Sequence, residues 1–581
     1  MILISIMQNI TNIVNNYIRE CCSECFPEFK DQFNDYIVVK GVNHDYQFNK
    51  IAHLTQITKN NRDYIVETLS NKLQSKDLIE LVENVKIKNN IFIAFNVSKI
   101  YISEKINQLY LLINSINKIP TPIIPDLPNK VLIDFSSPNI AKEMHIGHLR
   151  STIIGESLCR LYEYCGSQVH RVNHIGDWGT QFGMLIAYIR KFNTMTRDLT
   201  SILEIYRSAR KLFESDAEFQ KQSLLETVRL QNGCDDNLAI WKEIKDISLN
   251  SFNNIYQELG TYAEIIGESF YQSRMIDLIN DLNNNTKNEN GMKVIFIDEF
   301  KIPLILAKSD GGFTYDTSDL AAIKYRFMEQ KVDRVIYVVD SGQSQHFQMI
   351  FKLASKLSWC EIKQCYHIGF GVILGNDGKR LKTRSGETVL LRDVLQQVQD
   401  RAVLVTKSLR QKDTSEHDIF KLSKIIANNC VKYSDLNNPR ENNYRFDVDK
   451  MTNAKGNTAV YLMYTLARCC GILRKIPNLS VILDGNIEIN DSDTRSLAMM
   501  LLKYIETIEC SIREHAPHYI CNYLYELAIQ ITKFYSNNRC LEIENGEIIY
   551  VYHNRIKLIH LSIIVMRKMF ELIGLEYAEQ I

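Results

Sequence analysis

Prolines are scarce in this chain of 581 residues, ten in all, and four of them crowd into one segment at Pro120, Pro122, Pro125 and Pro128. Such density continues neither a helix nor a central strand, so it marks a stiff linker. An excess of one charge is also missing. Lys+Arg and Asp+Glu both number 68, which removes any global pull toward nucleic acid and makes any RNA-binding surface local. No apolar run approaches the roughly 18 residues of a membrane span. The apolar start has no basic residue before Gln8 and Asn9 interrupt it, unlike a signal peptide. Fourteen cysteines are present without metal-site spacing: Cys22-x-x-Cys25 has no second pair nearby, and Cys469-Cys470 are adjacent. They read as incidental thiols in a reducing cytosol, with no metal site, no membrane and a cytoplasmic location expected.

What is present describes an ordinary globular protein, 45% apolar and 23% charged, long enough for about three to four domains. Residues 1–118 read as an α+β N-terminal domain whose clearest strand is Ile91–Val97. Over 119–395, strand candidates Val131–Phe135, Gln168–Asn173, Arg334–Asp340 and His367–Leu374 alternate with helical stretches. That alternation predicts an α/β core with a Rossmann-type parallel sheet. Between about 193 and 300 the pattern becomes charged and amphipathic, as in Leu199–Phe213 and Ala239–Gly260, and reads as a helical insertion. Residues 396–450 form a connecting helical region. Residues 451–581, with Tyr461–Leu473 and Asn522–Phe534, read as an all-α C-terminal bundle.

His-Ile-Gly occurs three times, at His145, His174 and His367. Only the first continues to a second histidine, His148, and carries Ser137-Pro138-Asn139 upstream. A strand, a polar turn and a helix predicted to begin near Leu149 make an anion site, because unpaired N–H groups and the helix dipole point outward there. Gly147 lets the backbone lie close to a flat ligand while both imidazoles reach its phosphates. Downstream, Gly375–Thr388 is a glycine-punctuated loop with Lys379, Arg380, Lys382 and Arg384 inside six residues. Such a loop can close on a triphosphate and stabilise charge developing on pyrophosphate.

The paired motifs resemble a class I aminoacyl-tRNA synthetase. Ser137-Pro138-Asn139-x-x-Lys142, Asn173-His174-x-Gly176-Asp177-Trp178-Gly179 and Lys382-Thr383-Arg384-Ser385-Gly386 resemble arginyl-tRNA synthetases specifically, in their bacterial form. That resemblance implies activation of L-arginine by ATP, with Mg2+ bound to the nucleotide, followed by transfer to tRNA(Arg). It also implies a cytoplasmic monomer. His145, Gly147, His148, Lys382 and Arg384 would bind ATP, with His145, His148, Lys142, Lys379 and Lys382 as the catalytic set. Thr383 stands where the general class I loop has a lysine, which makes Lys142 the candidate to replace that charge.

Arginine is a permanent planar cation, so its pocket needs buried carboxylates in a fork-matching arrangement. The resemblance assigns arginine binding to Asp134, Ser137, Asn139, Glu268, Tyr315, Asp319 and Gln343, with Asp319 and Asp134 holding the guanidinium beside Tyr315. The spacing of Tyr315 and Asp319 would put both on one helical face. Gly456–Tyr461 and Ala467-Arg468 resemble the opening of the family's anticodon-binding bundle, and the N-terminal domain its tRNA-elbow module. Phe95, Tyr461 and Arg468 are the tRNA-contact candidates, through stacking and phosphate charge. A class I relative charging cysteine would need soft metal ligands that are missing, and one charging glutamate would want cations where carboxylates stand. A catalytically silent RNA-binding relative is disfavoured, because every expected catalytic position is filled.

Overall fold

The structure, a computed structural model, describes residues 9–74, 77–87, 90–116, 118–194, 198–375, 377–382, 389–409 and 415–581. Its centre is set by Val131-Leu132-Ile133-Asp134-Phe135, buried at every position, which suits only a strand covered on both faces. This is β1, Lys130–Phe135; it is followed by β2 Gln168–Asn173, β3 Glu264–Ile265, β4 Arg334–Val338 and β5 Cys365–His367. All four pairings are parallel, in the order β5-β4-β1-β2-β3. The chain winds outward from β1 to β3, then crosses back to place β4 on the other side of β1. The crevice beyond the carboxyl ends of β1 and β4 is therefore the switch point where such sheets bind ligands.

Helix α1, Ile146–Tyr164, lies against β1 with fourteen buried residues. It starts three residues before the expected Leu149, because His145 rather than a later residue caps it. Gly155 of α1 touches β1 so closely that a methyl group there would lie on the Phe135 ring. After α2 Thr180–Phe192, helices α3 Leu199–Ser215, α4 Ala217–Gln231 and α5 Asp235–Glu258 form the helical layer expected between 193 and 300. The rest of that stretch differs from the expectation. Glu264–Ile265 rejoins the central sheet as β3, and Lys287–Glu289, Met292–Ile295 and Leu304–Ala307 form a small antiparallel sheet. After it come α6 Tyr315–Met328, α7 Ser344–Lys356, α8 Leu391–Leu409 and α9 Glu416–Leu436.

The expected strand His367–Leu374 is divided. β5 ends at His367, and Ile373–Leu374 pairs instead with Tyr444–Arg445 in a separate parallel ribbon. Gly371 explains the break: a Cβ there would meet the Asn442 carbonyl at 2.7 Å, so the chain turns aside to run against the segment after α9. Residues 459–581 carry helices α10 Ala459–Arg474, α11 Ser492–Leu502, α12 Tyr504–Arg513, α13 His518–Asn537 and α14 His553–Leu572. One hairpin, Leu541–Glu544 with Glu547–Val551, interrupts what the periodicity predicts as all helix. Toward the N-terminus, four antiparallel strands and the helix Ile10–Cys25 give the mixed composition expected there.

The proline segment is strapped down rather than free. Tyr164 of α1 donates to the Ile119 and Pro120 carbonyls at 3.1 Å each, and Tyr504 of α12 donates to Pro120 at 3.1 Å. Among the described residues no helix is long and apolar enough to cross a membrane. The close packing of Gly155 yields the first prediction: Gly155→Ala lowers the thermal unfolding midpoint, through about 1–3 kcal/mol of overpacking against Phe135. Circular dichroism against temperature checks it, and an unchanged midpoint contradicts the packing described.

Candidate active site

The turn leaving β1 is conformationally costly. Ser136 and Ser137 both take positive φ, 76° and 47°, and Ala141 follows at 63°. Non-glycine residues hold such angles only where the surroundings over-determine them. Here three elements do so. Ser136 N–H donates to Ser151 Oγ of α1 at 2.7 Å, Ser137 N–H to Asn173 Oδ1 of β2 at 2.9 Å, and Ala141 N–H to Ser248 Oγ of α5 at 3.0 Å. The Tyr256 hydroxyl joins Ser136 Oγ and Asn173 Nδ2.

The second and third His-Ile-Gly copies support the first without repeating it. Gly176 N–H donates to the Pro138 carbonyl at 3.2 Å and Ile140 N–H to the Gly176 carbonyl at 3.1 Å. A side chain at Gly176 would overlap Asn139. Gly369, in the third copy, backs against Ser341 beyond β4. Both copies are strand ends followed by turn glycines, and they form walls around the turn.

His145 and His148 stack with ring centroids 3.9 Å apart at 30°. His145 Nδ1 accepts from Gly147 N–H at 3.1 Å, and His148 Nδ1 accepts from His145 N–H at 3.0 Å. Burial, then the neighbouring His145, pushes His148 down to about 3. Burial, then Arg380 and Lys142, holds His145 below the usual histidine range. Both rings are therefore neutral at pH 7, with Nδ1 accepting and Nε2–H left to donate. They border a cleft of ≈ 400 Å³ that also includes Ser137, Gly147, Gln343, Phe370 and Arg380.

Arg380 is the site residue that the sequence reading left among four loop cations without a role. Lys379, Arg380 and Lys382 are exposed, and of the three Arg380 lines the cleft, while Arg384 and Thr383 lie outside the described residues. The loop's exit is stitched to the first motif, Ile146 N–H donating to Val389 O at 3.1 Å and Leu391 N–H to Met144 O at 2.9 Å. Lys142 places its ammonium 5.3 Å from the Tyr206 ring of α3, on the flank of His145 rather than in the cleft lining.

An acidic cluster stands beside this cleft. α6 begins at Tyr315, so Tyr315 and Asp319 do sit one turn apart. His346 of α7 bridges Asp319 Oδ2 at 2.7 Å and Asp316 Oδ1 at 3.1 Å. Burial opposes its charge, but the two hydrogen-bonded carboxylates outweigh it and raise His346 to about 9. Glu268 is raised to about 8 by burial first, then by Asp177 and Asp319. Asp177 is fixed by Lys245 Nζ at 2.6 Å and by Ser269 N–H at 2.9 Å.

Two expectations need correction. Asp134 does not present a free carboxylate for a guanidinium: it is 4% exposed and its Oδ2 lies 2.5 Å from Nη2 of buried Arg326, which takes up its charge. Its Oδ1 instead accepts from Ser137 Oγ at 3.4 Å. Phe95 cannot stack on a base, because it is wholly buried against Tyr46. Tyr461 is half-buried near Thr532 and Tyr525, and Arg468 is exposed, 4.2 Å over the Tyr535 ring. Asn139 is exposed at the turn and Gln343 follows β4 in a short 3-10 turn.

A parallel sheet with a strained histidine turn at its switch point, a basic loop opposite and a helical bundle behind defines a class I tRNA synthetase. The profile described as "tRNA synthetases class I (R), catalytic domain" matches residues 124–448, and "DALR anticodon binding domain" matches residues 462–581. The chain belongs to the arginine family of class I tRNA synthetases. It is 50% identical to the arginine–tRNA ligase of Acanthamoeba polyphaga mimivirus over 94% of both chains. It is 38% identical to the cytoplasmic arginine–tRNA ligase of Bos taurus, over 92% of this chain and 82% of that one. The arginyl-tRNA synthetase structure from Plasmodium falciparum superposes with a TM-score of 0.84 at 30% identity, over 99% of this chain and 100% of that one. The Thermus thermophilus arginyl-tRNA synthetase, at 19% identity and a TM-score of 0.73, over 98% of this chain and all of that one, shares the fold.

Gly147 generates the second prediction. A Cβ there would lie 2.8 Å from the His145 imidazole and displace it. Gly147→Ala should raise the KM for ATP about tenfold with little change in that for arginine, since each tenfold is worth ~1.4 kcal/mol. Pyrophosphate exchange in the presence of tRNA, titrated with each substrate, decides it.

Proposed function

We propose that the cleft and the acidic cluster are two halves of one arginine-activating site, with the roles below. The reaction is that of arginine–tRNA ligase: arginine and ATP give arginyl-adenylate and diphosphate, and the arginyl group then passes to tRNA, releasing AMP. The observation that carries the site reading is the combination of two neutral, donor-presenting histidines at the start of α1 with a carboxyl group beyond β3, Glu268, that burial and the neighbouring Asp177 and Asp319 raise to about 8.

ATP lies along the cleft, its phosphates against the outward N–H groups of α1 and the Nε2–H donors of His145 and His148. The arginine carboxylate attacks the α-phosphorus in line. Arg380, Lys379, Lys382 and Arg384 take up charge on the departing diphosphate, and Lys142 adds positive potential from the flank. Positioning and electrostatics then supply the catalysis without a general base. Mg2+ arrives as part of the nucleotide substrate. Asp340 is the single carboxylate among the described lining residues, which suits an ion held mainly by phosphates.

Glu268 and Asp319 grip the guanidinium with Tyr315 alongside, and His346 fixes the Asp319 carboxylate. Asp134, already paired with Arg326, serves the other end of the amino acid by orienting Ser137, next to Asn139 and Gln343. Lysine is rejected because a point charge cannot satisfy two carboxylates in a fork arrangement. The bundle that begins near residue 451, with Tyr461 and Arg468, and the N-terminal unit to residue 118 hold tRNA(Arg). The protein acts as a cytoplasmic monomer.

Asp319→Ala should reduce kcat/KM for arginine by about 2–5 kcal/mol of lost charge pairing, with ATP binding spared. Near-normal arginine activation by that variant would sink the assignment. The raised Glu268 carboxyl gives a pH test with a definite sign. It is mostly protonated in the free protein below about 8, while a bound guanidinium favours the carboxylate, so arginine binding expels a proton. Arginine affinity therefore increases as pH rises from 6 toward 8 and levels above that. Glu268→Gln should flatten this profile, measured as arginine KM against pH.

A further inference from the structure

Arg150 stands two residues beyond His148 within α1 and has no part in the chemistry above. It is 1% exposed, yet its guanidinium has attachments on three sides. Nε pairs with Asp435 Oδ2 at 3.0 Å. Nη1 donates to the Gly371 carbonyl at 2.8 Å and the Asn442 carbonyl at 3.0 Å. The plane lies over the Phe370 and Tyr444 rings, at 5.8 and 5.3 Å. Arg150 lines the floor of the nucleotide cleft together with Phe370 and Gly371, while remaining almost wholly buried behind them.

Asn442 and Tyr444 belong to the segment that follows α9. That segment and the cleft wall run together as a ribbon, with Gly371 N–H donating to Arg440 O at 2.9 Å and Val372 N–H to Asn443 Oδ1 at 2.7 Å. The basic loop springs from the same ribbon, because Leu381 N–H donates to Ile373 O at 2.9 Å. Asp435, wholly buried, sits near the end of α9. Two residues earlier, the Tyr433 hydroxyl reaches Asn457 Oδ1 at 2.5 Å and the Cys521 carbonyl at 3.0 Å, where α10 and α13 begin. One buried guanidinium thus joins the nucleotide wall to the helix on which the C-terminal bundle is seated. Desolvation cancels most of the Coulomb gain of such a pair, so stability is a poor account of its placement.

We propose that Arg150 is a positioning residue: it sets the cleft wall around residues 370–373 for ATP and, through Asp435 and Tyr433, makes that setting depend on the seating of the C-terminal bundle. The proposal rests on the assignment of this cleft to ATP. Two packed segments with a shared charged staple can carry coupling between sites, and typical couplings are worth about five- to 150-fold in affinity.

The test uses the full-length protein and the double variant Arg150→Met/Asp435→Leu, which removes both charges at similar volume. With its fold confirmed by circular dichroism, the ATP KM should rise about tenfold while the arginine KM stays within about twofold, a split that general loosening would not produce. Tyr433→Phe should raise the ATP KM several-fold in the parent and leave it unchanged in the double variant, because the link it feeds is already cut. An unmoved ATP KM in the double variant, or an equal Tyr433→Phe effect in both backgrounds, overturns the proposal. Should the double variant not fold, Arg150→Lys keeps the charge but loses the second arm, and the same two readouts apply. Gly147→Ala separates the premises: if it too leaves the ATP KM unmoved, the cleft assignment falls, and if it raises that KM while the double variant does not, only the role of Arg150 falls.

Discussion

Two successive serines held in the left-handed region at the end of β1 are the constraint on which the site depends. That turn is affordable only because α1, β2 and α5 each supply a side chain to one of its N–H groups. The bend aims Asn139 at Gly176 and delivers His145 to the start of α1, where it can cap the helix and stack on His148. The cleft lies beyond the carboxyl ends of the neighbouring strands β1 and β4, while the basic loop springs from the separate ribbon of Ile373–Leu374 and Tyr444–Arg445. Strain at this position is compensated by hydrogen bonds from elements far apart in sequence.

Electrostatics divide the crevice. On the cleft side, burial keeps both histidines neutral, helped by Arg380 and Lys142 at His145 and by His145 at His148, so both rings offer N–H donors without charge. On the acidic side, Lys245 holds Asp177, His346 bridges Asp316 and Asp319, and Glu268 stays raised among them. A guanidinium, always charged and forked, relieves this field better than an ammonium.

Much of this was legible in the residues. The apolar run of β1, the Gly147 step between two histidines and the cation-rich loop have short-range causes, and they lead to the parallel sheet that the structure shows. The profile and relatives place the chain in a family of class I tRNA synthetases, in agreement with those motifs. Relatives at 50% and 38% identity are viral and animal proteins, and the bacterial structure stands at 19%, so likeness to the bacterial form is one of motifs and fold. Asp134 misled because a carboxylate at a strand end looks available until its partner, Arg326, is brought beside it from 192 residues away. Phe95, offered as a tRNA contact through the likeness of the N-terminal domain to a tRNA-elbow module, is instead a core residue packed against Tyr46.

By itself the sequence determined the local conformers and the chemical inventory: where strands begin, which glycine admits a flat ligand, how many cations the loop carries, and that carboxylates suit arginine. Those follow from steric and charge properties of neighbouring residues. Only the tertiary structure decided which charges are paired internally, Asp134 with Arg326 and Asp319 with His346, and that Glu268 is buried among carboxylates. It also decided that the second and third His-Ile-Gly copies are walls around the first, and that Arg150 ties the nucleotide wall to the C-terminal bundle. Burial and long-range pairing set these outcomes, because desolvation cost depends on what the fold brings within a few ångströms and not on what lies next in the chain.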